Sequence, residues 1–348
     1  MDVSSSPQTL HLRDTFTIAR SSVDTEDVLV VSVDHEGLTG RGEGAPVSYW
    51  DETVASMAQA VEADGAALLG DDPRDLEAVA RRLREWDGPQ GAKMALDGAA
   101  HDWVGQRYGL PVWRLLGLGR DQPPTSFTLG ITTVEQTIER VRRAPGFAVY
   151  KIKVGGPDDL DRLAAVRSAT PARLRIDGNE GWTLDGVREL LPRLRELGVE
   201  FVEQPFPADD LDSFHRYREL PDRLPVFVDE GCRDAASLPA IASYADGVVV
   251  KLAKCGGIRE AQRMLHVADV LGLQGMLGCM IESQLGIAQA AQLGALADHA
   301  DLDGHLLITD QPFTGLGLED GRLVLPDAPG LGVVPAATQA AVSAGVRA

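Results

Sequence analysis

Five ionisable residues recur at nearly even intervals through the second half of the chain. They are Lys153, Asp177, Glu203, Asp229 and Lys251, each 22 to 26 residues after the one before. Each closes a short apolar run: Val149-Tyr-Lys-Ile-Lys153, Leu174-Arg-Ile-Asp177, Phe201-Val-Glu203, Val226-Phe-Val-Asp229 and Gly247-Val-Val-Val-Lys251. A charge at the end of a buried strand is costly unless it is paired or metal-bound. Three carboxylates, with no His or Cys among them, suit a hard divalent cation and favour Mg²⁺ over zinc. Asp177, Glu203 and Asp229 are therefore the predicted ligands. A ring of ion pairs with the neighbouring lysines would satisfy the same charges, and spacing alone leaves that reading open.

The lysines suggest proton transfer. Lys151 and Lys153 are two residues apart and share one face of a strand. Neighbouring positive charge and desolvation both lower a lysine pKa, which predicts a usable general base. Lys251 would approach from the far side of the acids. A substrate held between could lose a proton to one lysine and regain it from the other. Proton loss beside a carboxylate gives an enediolate, whose added charge a divalent cation and ammonium groups stabilise. A salt bridge is the competing role for Lys251. Lys254, three residues on, is a second candidate, although a strand ending at Lys251 leaves it outside.

The elements that must bring these residues together follow from the repeat. Phe127-Thr-Leu-Gly130 and Gln274-Gly-Met-Leu-Gly278 extend the series of apolar runs, and residues 302–308 offer an eighth. Amphipathic helical patterns separate them, which implies an α/β fold with parallel strands and right-handed crossovers. A repeat of about 25 residues matches one unit of a (β/α)7–8 TIM-type barrel, whose strand C-termini converge on one mouth. An open doubly wound sheet would carry a Gly-rich turn after its first strand, and Gly130-Ile-Thr-Thr133 is not one. The first 120 or so residues read differently, as an α+β unit. Val28 to Val33 is a strand, and Glu36-Gly-Leu-Thr-Gly-Arg-Gly-Glu43 turns it back into an antiparallel meander. Helical patterns start after Asp51 and near Asp72-Pro-Arg-Asp75. An alanine-rich helix spans Lys93 to Gly105 and ends by Gly109-Leu-Pro111.

Composition narrows the partners. Acidic residues number 52 and basic ones 33, a net charge of −19, which argues against nucleic acid or an anionic membrane as the main partner; a small anionic substrate stays open, because a local metal or lysine pair can reverse the field at one site. Cys232, Cys255 and Cys279 form no CxxC pair, so neither a disulfide framework nor a zinc site is predicted. The N-terminal stretch lacks the basic and apolar regions of a signal peptide, and no apolar run is long enough to span a bilayer. A soluble, cytoplasmic protein is expected.

The segments Lys151-Ile-Lys153, Asp177-Gly-Asn179, Val202-Glu-Gln-Pro205, Asp229-Glu230 and Lys251-Leu-Ala-Lys-Cys-Gly-Gly257 together resemble the muconate-lactonizing subgroup of the enolase superfamily. Superfamily members pair a Lys or His base with Mg²⁺. The resemblance covers nearly the whole chain; Gly40-Arg-Gly-Glu-Gly44 and the helix around Leu96-Asp97 fit the family's α+β capping domain. It implies a capping domain over residues 1–120, a catalytic barrel over 121–315, and a segment over 316–348 that returns to the capping domain. It also implies that Lys153 and Lys251 are the acid/base pair and that Lys151 tunes Lys153 and orients the substrate carboxylate. Asp177, Glu203 and Asp229 would bind Mg²⁺, with Asn179 and Glu230 behind them. Two capping loops, near residues 18–25 and 48–51, would close the mouth. Barrels of this family often form homo-oligomers.

The resemblance leaves several reactions open. Lysines on both faces suit 1,1-proton transfer, but the same pair serves cycloisomerases and o-succinylbenzoate synthases. No histidine ends a barrel strand where a base is needed; His305 comes nearest and reads as exposed or structural. Asp301-Leu302-Asp303 decides between the readings. Alternation puts both carboxylates on one face of an extended segment, though a turn or cap role would also explain them. With Gly278-Cys-Met-Ile-Glu-Ser283, this segment looks like dipeptide epimerases, which hold the substrate ammonium with an Asp-x-Asp motif. The expected activity is a Mg²⁺-dependent dipeptide epimerase acting at the α-carbon of the C-terminal residue. The alternatives are an N-acylamino acid racemase, an o-succinylbenzoate synthase, a cycloisomerase, or a non-catalytic binding protein on the same scaffold. Arg20 could bind an acidic substrate side chain, as in L-Ala-D/L-Glu epimerases, or lie on the surface. Glu282 could select a basic one, or the two could pair with each other.

Overall fold

The computed structural model describes residues 1–337 of the 348-residue chain. The N-terminal layer is a three-stranded antiparallel sheet, ordered β1 (Asp2–Ile18), β2 (Ser21–His35) and β3 (Leu38–Gly44). The predicted meander is β2 and β3. β1 carries no signal in the sequence, because polar residues dominate it and only Leu10 is buried along its length. Pairing with β2, from Asp2 opposite Asp34 to Ile18 opposite Ser21, makes it a strand. Residues 18–25, expected as a loop, are mostly the end of this hairpin. Only Ala19 and Arg20 form the turn, and its tip reaches the barrel, where Ala19 packs against Gly155 and Gly181.

Three helices cover this sheet: α1 (Val54–Leu69), α2 (Leu76–Glu85) and α3 (Gln90–Tyr108). Thr53 caps α1 and Asp75 caps α2, each side chain accepting a backbone N–H of the first turn. The glycines of β3 explain how closely α3 lies on the sheet. Gly40, Gly42 and Gly44 alternate along one face, and a Cβ there would stand 2.3, 2.1 and 1.9 Å from the carbonyl oxygens of Ala99, Ala95 and Gly91. Any side chain would push helix and strand apart. Leu29, Val31 and Val33 of β2 pack with Met57, Val61 and Leu96 into the core of this layer.

Eight parallel strands follow in consecutive spatial order. They are β4 (Phe127–Leu129), β5 (Val149–Lys153), β6 (Arg173–Asp177), β7 (Val199–Glu203), β8 (Val226–Val228), β9 (Gly247–Lys251), β10 (Gln274–Gly278) and β11 (His299–Asp301). A bridge between Thr125 and Ala300, with Ser126 N donating to Ala300 O at 3.1 Å, brings the two edges together. This is the predicted TIM-type barrel, with one correction. The eighth strand is His299–Asp301, not residues 302–308. Leu302 and Ile308 are apolar because they are buried, but Gly304–Leu306 is a 3-10 turn. A three-residue strand is too short to show a period.

The inner face of the barrel is layered. Phe201, Phe227, Val249 and Met276 form a buried cluster. Glu203, Asp229 and Lys251 stand two residues beyond the first three of these, on the same face of each strand, and so crown the apolar layer. After β11, Phe313–Thr314 pairs with Val334–Pro335. Val112 N donates to Gly330 O at 2.9 Å and Leu331 N to Asp102 Oδ1 at 2.8 Å, so this stretch runs back against α3. The last part of the expected 316–348 segment, residues 338–348, lies outside the described residues. Among the described residues no helix is long and apolar enough to cross a membrane.

Candidate active site

The C-terminal strand ends bring the spaced charges together. Lys153 Nζ donates to Asp177 Oδ2 at 2.6 Å, and Lys251 Nζ to Asp229 Oδ2 at 2.8 Å. Lys151 Nζ lies 2.8 Å from Glu203 Oε1, 2.7 Å from Asp301 Oδ2 and 3.1 Å from Asp177 Oδ2. β5 and β9 are four strands apart in a ring of eight, so Lys153 and Lys251 approach from opposite sides. Lys254 has left the strand, as expected, for a one-turn helix, Leu252–Cys255. Its ammonium nevertheless returns to the Asp229 carboxylate and carbonyl.

Among the described residues, no three His, Cys, Asp or Glu side chains are grouped as a ready metal site. Each acid is turned toward an ammonium instead, so the ion-pair ring and a metal draw on the same oxygens. The donors nonetheless fit a divalent cation. Glu203 Oε2 is buried without a hydrogen-bond partner, an acceptor that a cation would satisfy. Three carboxylates from adjacent strands are the oxygen set that Mg²⁺ takes.

The electrostatics correct one expectation. Burial and the Lys151/Lys153 pairing were expected to lower lysine pKa values. Burial does act to lower Lys151 and Lys251, but the carboxylates outweigh it. Asp301, Glu203 and Asp177 hold Lys151 well above the usual range, and Asp229 does the same for Lys251. Burial likewise disfavours ionised Asp177 and Asp229, yet the lysines hold both carboxyls below their ordinary range. Glu203 is raised by burial and by Asp177. Spacing finds the two like charges on one strand; it does not find the acids that neighbouring strands place nearer.

Above this ring a cavity of about 170 Å³ separates barrel and N-terminal sheet. Lys151, Lys153, Lys251, Asp301 and Asp303 line its floor, and the β1–β2 hairpin and Tyr49 line its roof. Tyr49 belongs to the 3-10 turn Ser48–Trp50, within the second expected capping loop. Asp301 and Asp303 share the Thr128 hydroxyl of neighbouring β4, whose Oγ lies 3.3 Å from Asp301 Oδ1 and 3.2 Å from Asp303 Oδ1. Thr128 N donates to Asp303 Oδ2 at 2.6 Å, and Ser126 Oγ donates to Asp301 Oδ1 at 2.7 Å. Burial and the nearby Asp301 raise Asp303 to about 7.

The remaining predicted residues divide. Asn179 lines the cavity; its N–H donates to Asp177 Oδ1 at 3.0 Å and its amide to Glu230 Oε1 at 3.3 Å. Arg20 reaches the cavity from the exposed hairpin tip; it binds Glu230 Oε1 at 2.6 Å and stacks over Tyr49. Glu282 is corrected. It does not line the cavity and does not meet Arg20. It folds back to accept Met280 N at 2.9 Å, and burial raises it to about 8. His305 is buried, which pushes it down to about 4, and so is structural. Residues missed from the sequence are supporting ones. Ser126 and Thr128 hold the two aspartates, and Gln204 Oε1 accepts Asp229 N at 2.8 Å. The Gln-Pro after Glu203 was the only signal for any of them.

Comparison with known proteins gives the family and the fold. Residues 2–117 match the mandelate racemase / muconate lactonizing enzyme N-terminal domain, and residues 133–339 the enolase C-terminal domain-like model. An L-Ala-D/L-amino acid epimerase from a Maribacter species is 35% identical, covering 96% of this chain and 99% of that protein. The dipeptide epimerase of Methylococcus capsulatus, solved with Mg and L-Arg-D-Lys, superposes with a TM-score of 0.89 at 36% identity, covering 96% and 99% of the two chains. That of Enterococcus faecalis, solved with Mg and L-Leu-L-Tyr, gives 0.88 at 33% identity, covering 95% and 98%. The chain belongs to the mandelate racemase / muconate lactonizing enzyme family of the enolase superfamily.

Proposed function

We propose that this protein is an isomerase of amino-acid derivatives, specifically a dipeptide epimerase that inverts the α-carbon of the C-terminal residue. The observation that carries the reading is the pair Lys153 and Lys251 on opposite sides of one cavity, with Asp301 and Asp303 buried at its edge. A binding protein has no need of a proton acceptor and donor on two faces. Two acids beyond the metal-ligand set suit a substrate ammonium, which a dipeptide has and an N-acylamino acid lacks.

Each group then has a task. Asp177, Glu203 and Asp229 would hold Mg²⁺, which supplies positive charge against the negative charge that builds on the substrate carboxylate. Lys151, kept cationic by three carboxylates, orients that carboxylate. Lys153 Nζ takes the α-proton from one face, and Lys251 Nζ–H delivers a proton to the other; the reverse reaction exchanges the roles. Asp301 and Asp303 anchor the ammonium and so fix which carbon sits between the lysines. Asn179, Glu230 and Lys254 keep the ligand carboxylates in position.

Related dipeptide epimerases are solved with bound dipeptides as different as L-Arg-D-Lys and L-Leu-L-Tyr. The test is a mass-spectrometric screen of L,L-dipeptide pools in D₂O with Mg²⁺. One deuterium gained at the C-terminal α-carbon, with appearance of the L,D product, is expected. No exchange in any pool, with Mg²⁺ bound, would transfer the assignment to N-acylamino acids and cycloisomerase substrates.

A further inference from the structure

A second cavity, of about 340 Å³, lies in the seam between the N-terminal layer and the barrel. It shares no lining residue with the first. The chain carries a net charge of −19, yet four cationic side chains converge here: Arg84 and Lys93 from the N-terminal layer, Arg233 and Arg263 from the barrel. The two acids at its rim are both occupied. Glu260 binds Arg263 at 2.6 Å and Arg84 at 3.7 Å, and Asp234 Oδ1 accepts Ser237 N at 2.9 Å. Lys254 also reaches the cavity, but its ammonium is held by Asp229.

Lys93 is the informative residue. It is only 6% exposed, lines the cavity, and has no ion pair or side-chain hydrogen bond among the described residues. Burial pushes its pKa down, and Asp87 and Glu52 only partly oppose this. Its stem is buried, while its ammonium opens into the cavity, where an anion would pair with it. Beside it, Arg233 stacks on Trp50 at 4.7 Å, which sets a guanidinium against one wall. Guanidinium forks suit the planar or tetrahedral oxygens of carboxylates and phosphates.

We propose that this seam cavity binds a small oxyanion carrying two or more negative charges, held by Lys93 and Arg233, with Arg84 and Arg263, which share Glu260, at its rim. Such an anion neutralises like charges contributed by both layers and joins them. Because it binds the folded chain alone, it raises thermal stability as its concentration rises.

The test uses the full chain without divalent metal, at an ionic strength held constant with NaCl. Inorganic phosphate, pyrophosphate and succinate are titrated by calorimetry and followed by thermal melting. Saturable binding with one site per chain and a rising Tm is expected for at least one; the stronger of the phosphates and succinate names the oxyanion class. Lys93→Met and Arg233→Gln should each weaken binding about tenfold or more, the loss of a charge-assisted contact. Lys153→Met, in the other cavity, should leave it intact. Arg84→Gln, at a side chain 41% exposed, supplies a variant that perturbs no packed region. No saturable binding of any probe would overturn the proposal. So would binding that survives Lys93→Met, Arg233→Gln and Arg84→Gln, whether or not Lys153→Met abolishes it.

Discussion

Glu43→Gln should make the protein more stable, and only above mildly acidic pH. Glu43 sits on β3 where the N-terminal sheet meets the barrel, and it is fully buried. Ser283 N donates to Oε1 at 2.8 Å, and the Ser283 hydroxyl bonds Oε2. Burial raises the carboxyl from 4.5 to about 7 in spite of these bonds. Between those two pH values the folded chain holds a proton that the unfolded chain has released. Stability therefore falls as pH rises through that window and levels off above it. At about 1.4 kcal/mol per pKa unit, ionised Glu43 costs about 3 kcal/mol. Glutamine never ionises. Its amide oxygen can still accept Ser283 N, and its NH₂ can donate to the Ser283 hydroxyl. Gln289 bonds only the backbone of residue 43, at 2.7 and 3.0 Å, and is unaffected by the change. Urea unfolding of both proteins from pH 4 to 8.5 should give nearly equal stabilities at the acid end. The variant should lead by up to about 3 kcal/mol at the alkaline end. Curves that stay parallel across the range would refute a buried, high-pKa Glu43.

Two further outcomes are expected. Gly42→Ala places a methyl 2.1 Å from Ala95 O, so α3 must lift from β3; urea unfolding should show a loss of about 1–3 kcal/mol or more, and an unchanged midpoint would contradict the packing. Asp303→Asn removes one charge from the proposed ammonium site, and steady-state kinetics should show KM for an active dipeptide rising about tenfold to a hundredfold with kcat less affected; an unchanged KM would remove Asp303 from substrate binding.

What the sequence reveals here depends on whether a signal is local. Lys153, Asp177, Glu203, Asp229 and Lys251 were legible because a barrel repeats its strand ends at a nearly constant interval, and a charge ending an apolar run stands out. Gly40, Gly42 and Gly44 were legible as a motif, but their reason, the closeness of α3, is tertiary. β1 was not legible, since it is polar and owes its form to pairing with β2. β11 was too short to show a period, and the apolar residues 302–308 imitated it. Arg20 and Glu282 show the other limit. Residue type suggested both as selectors, but only the fold reveals that Glu230 takes Arg20 and that Glu282 turns away from the cavity. The sign of the Lys151 shift was missed for the same reason, since its partner Asp301 is 150 residues distant in the chain.

The central claim is that Lys153 and Lys251 serve opposite faces of one α-carbon. It is tested most directly by Lys153→Ala and Lys251→Ala, each incubated in D₂O with Mg²⁺ and with each epimer of an active dipeptide separately. Epimerisation should fall by about 10²–10⁴-fold in both variants. Each should retain α-proton exchange, without inversion, for only one epimer, and the two variants should retain it for opposite epimers. Full epimerisation in either variant, or loss of exchange from the same epimer in both, would contradict the two-lysine account.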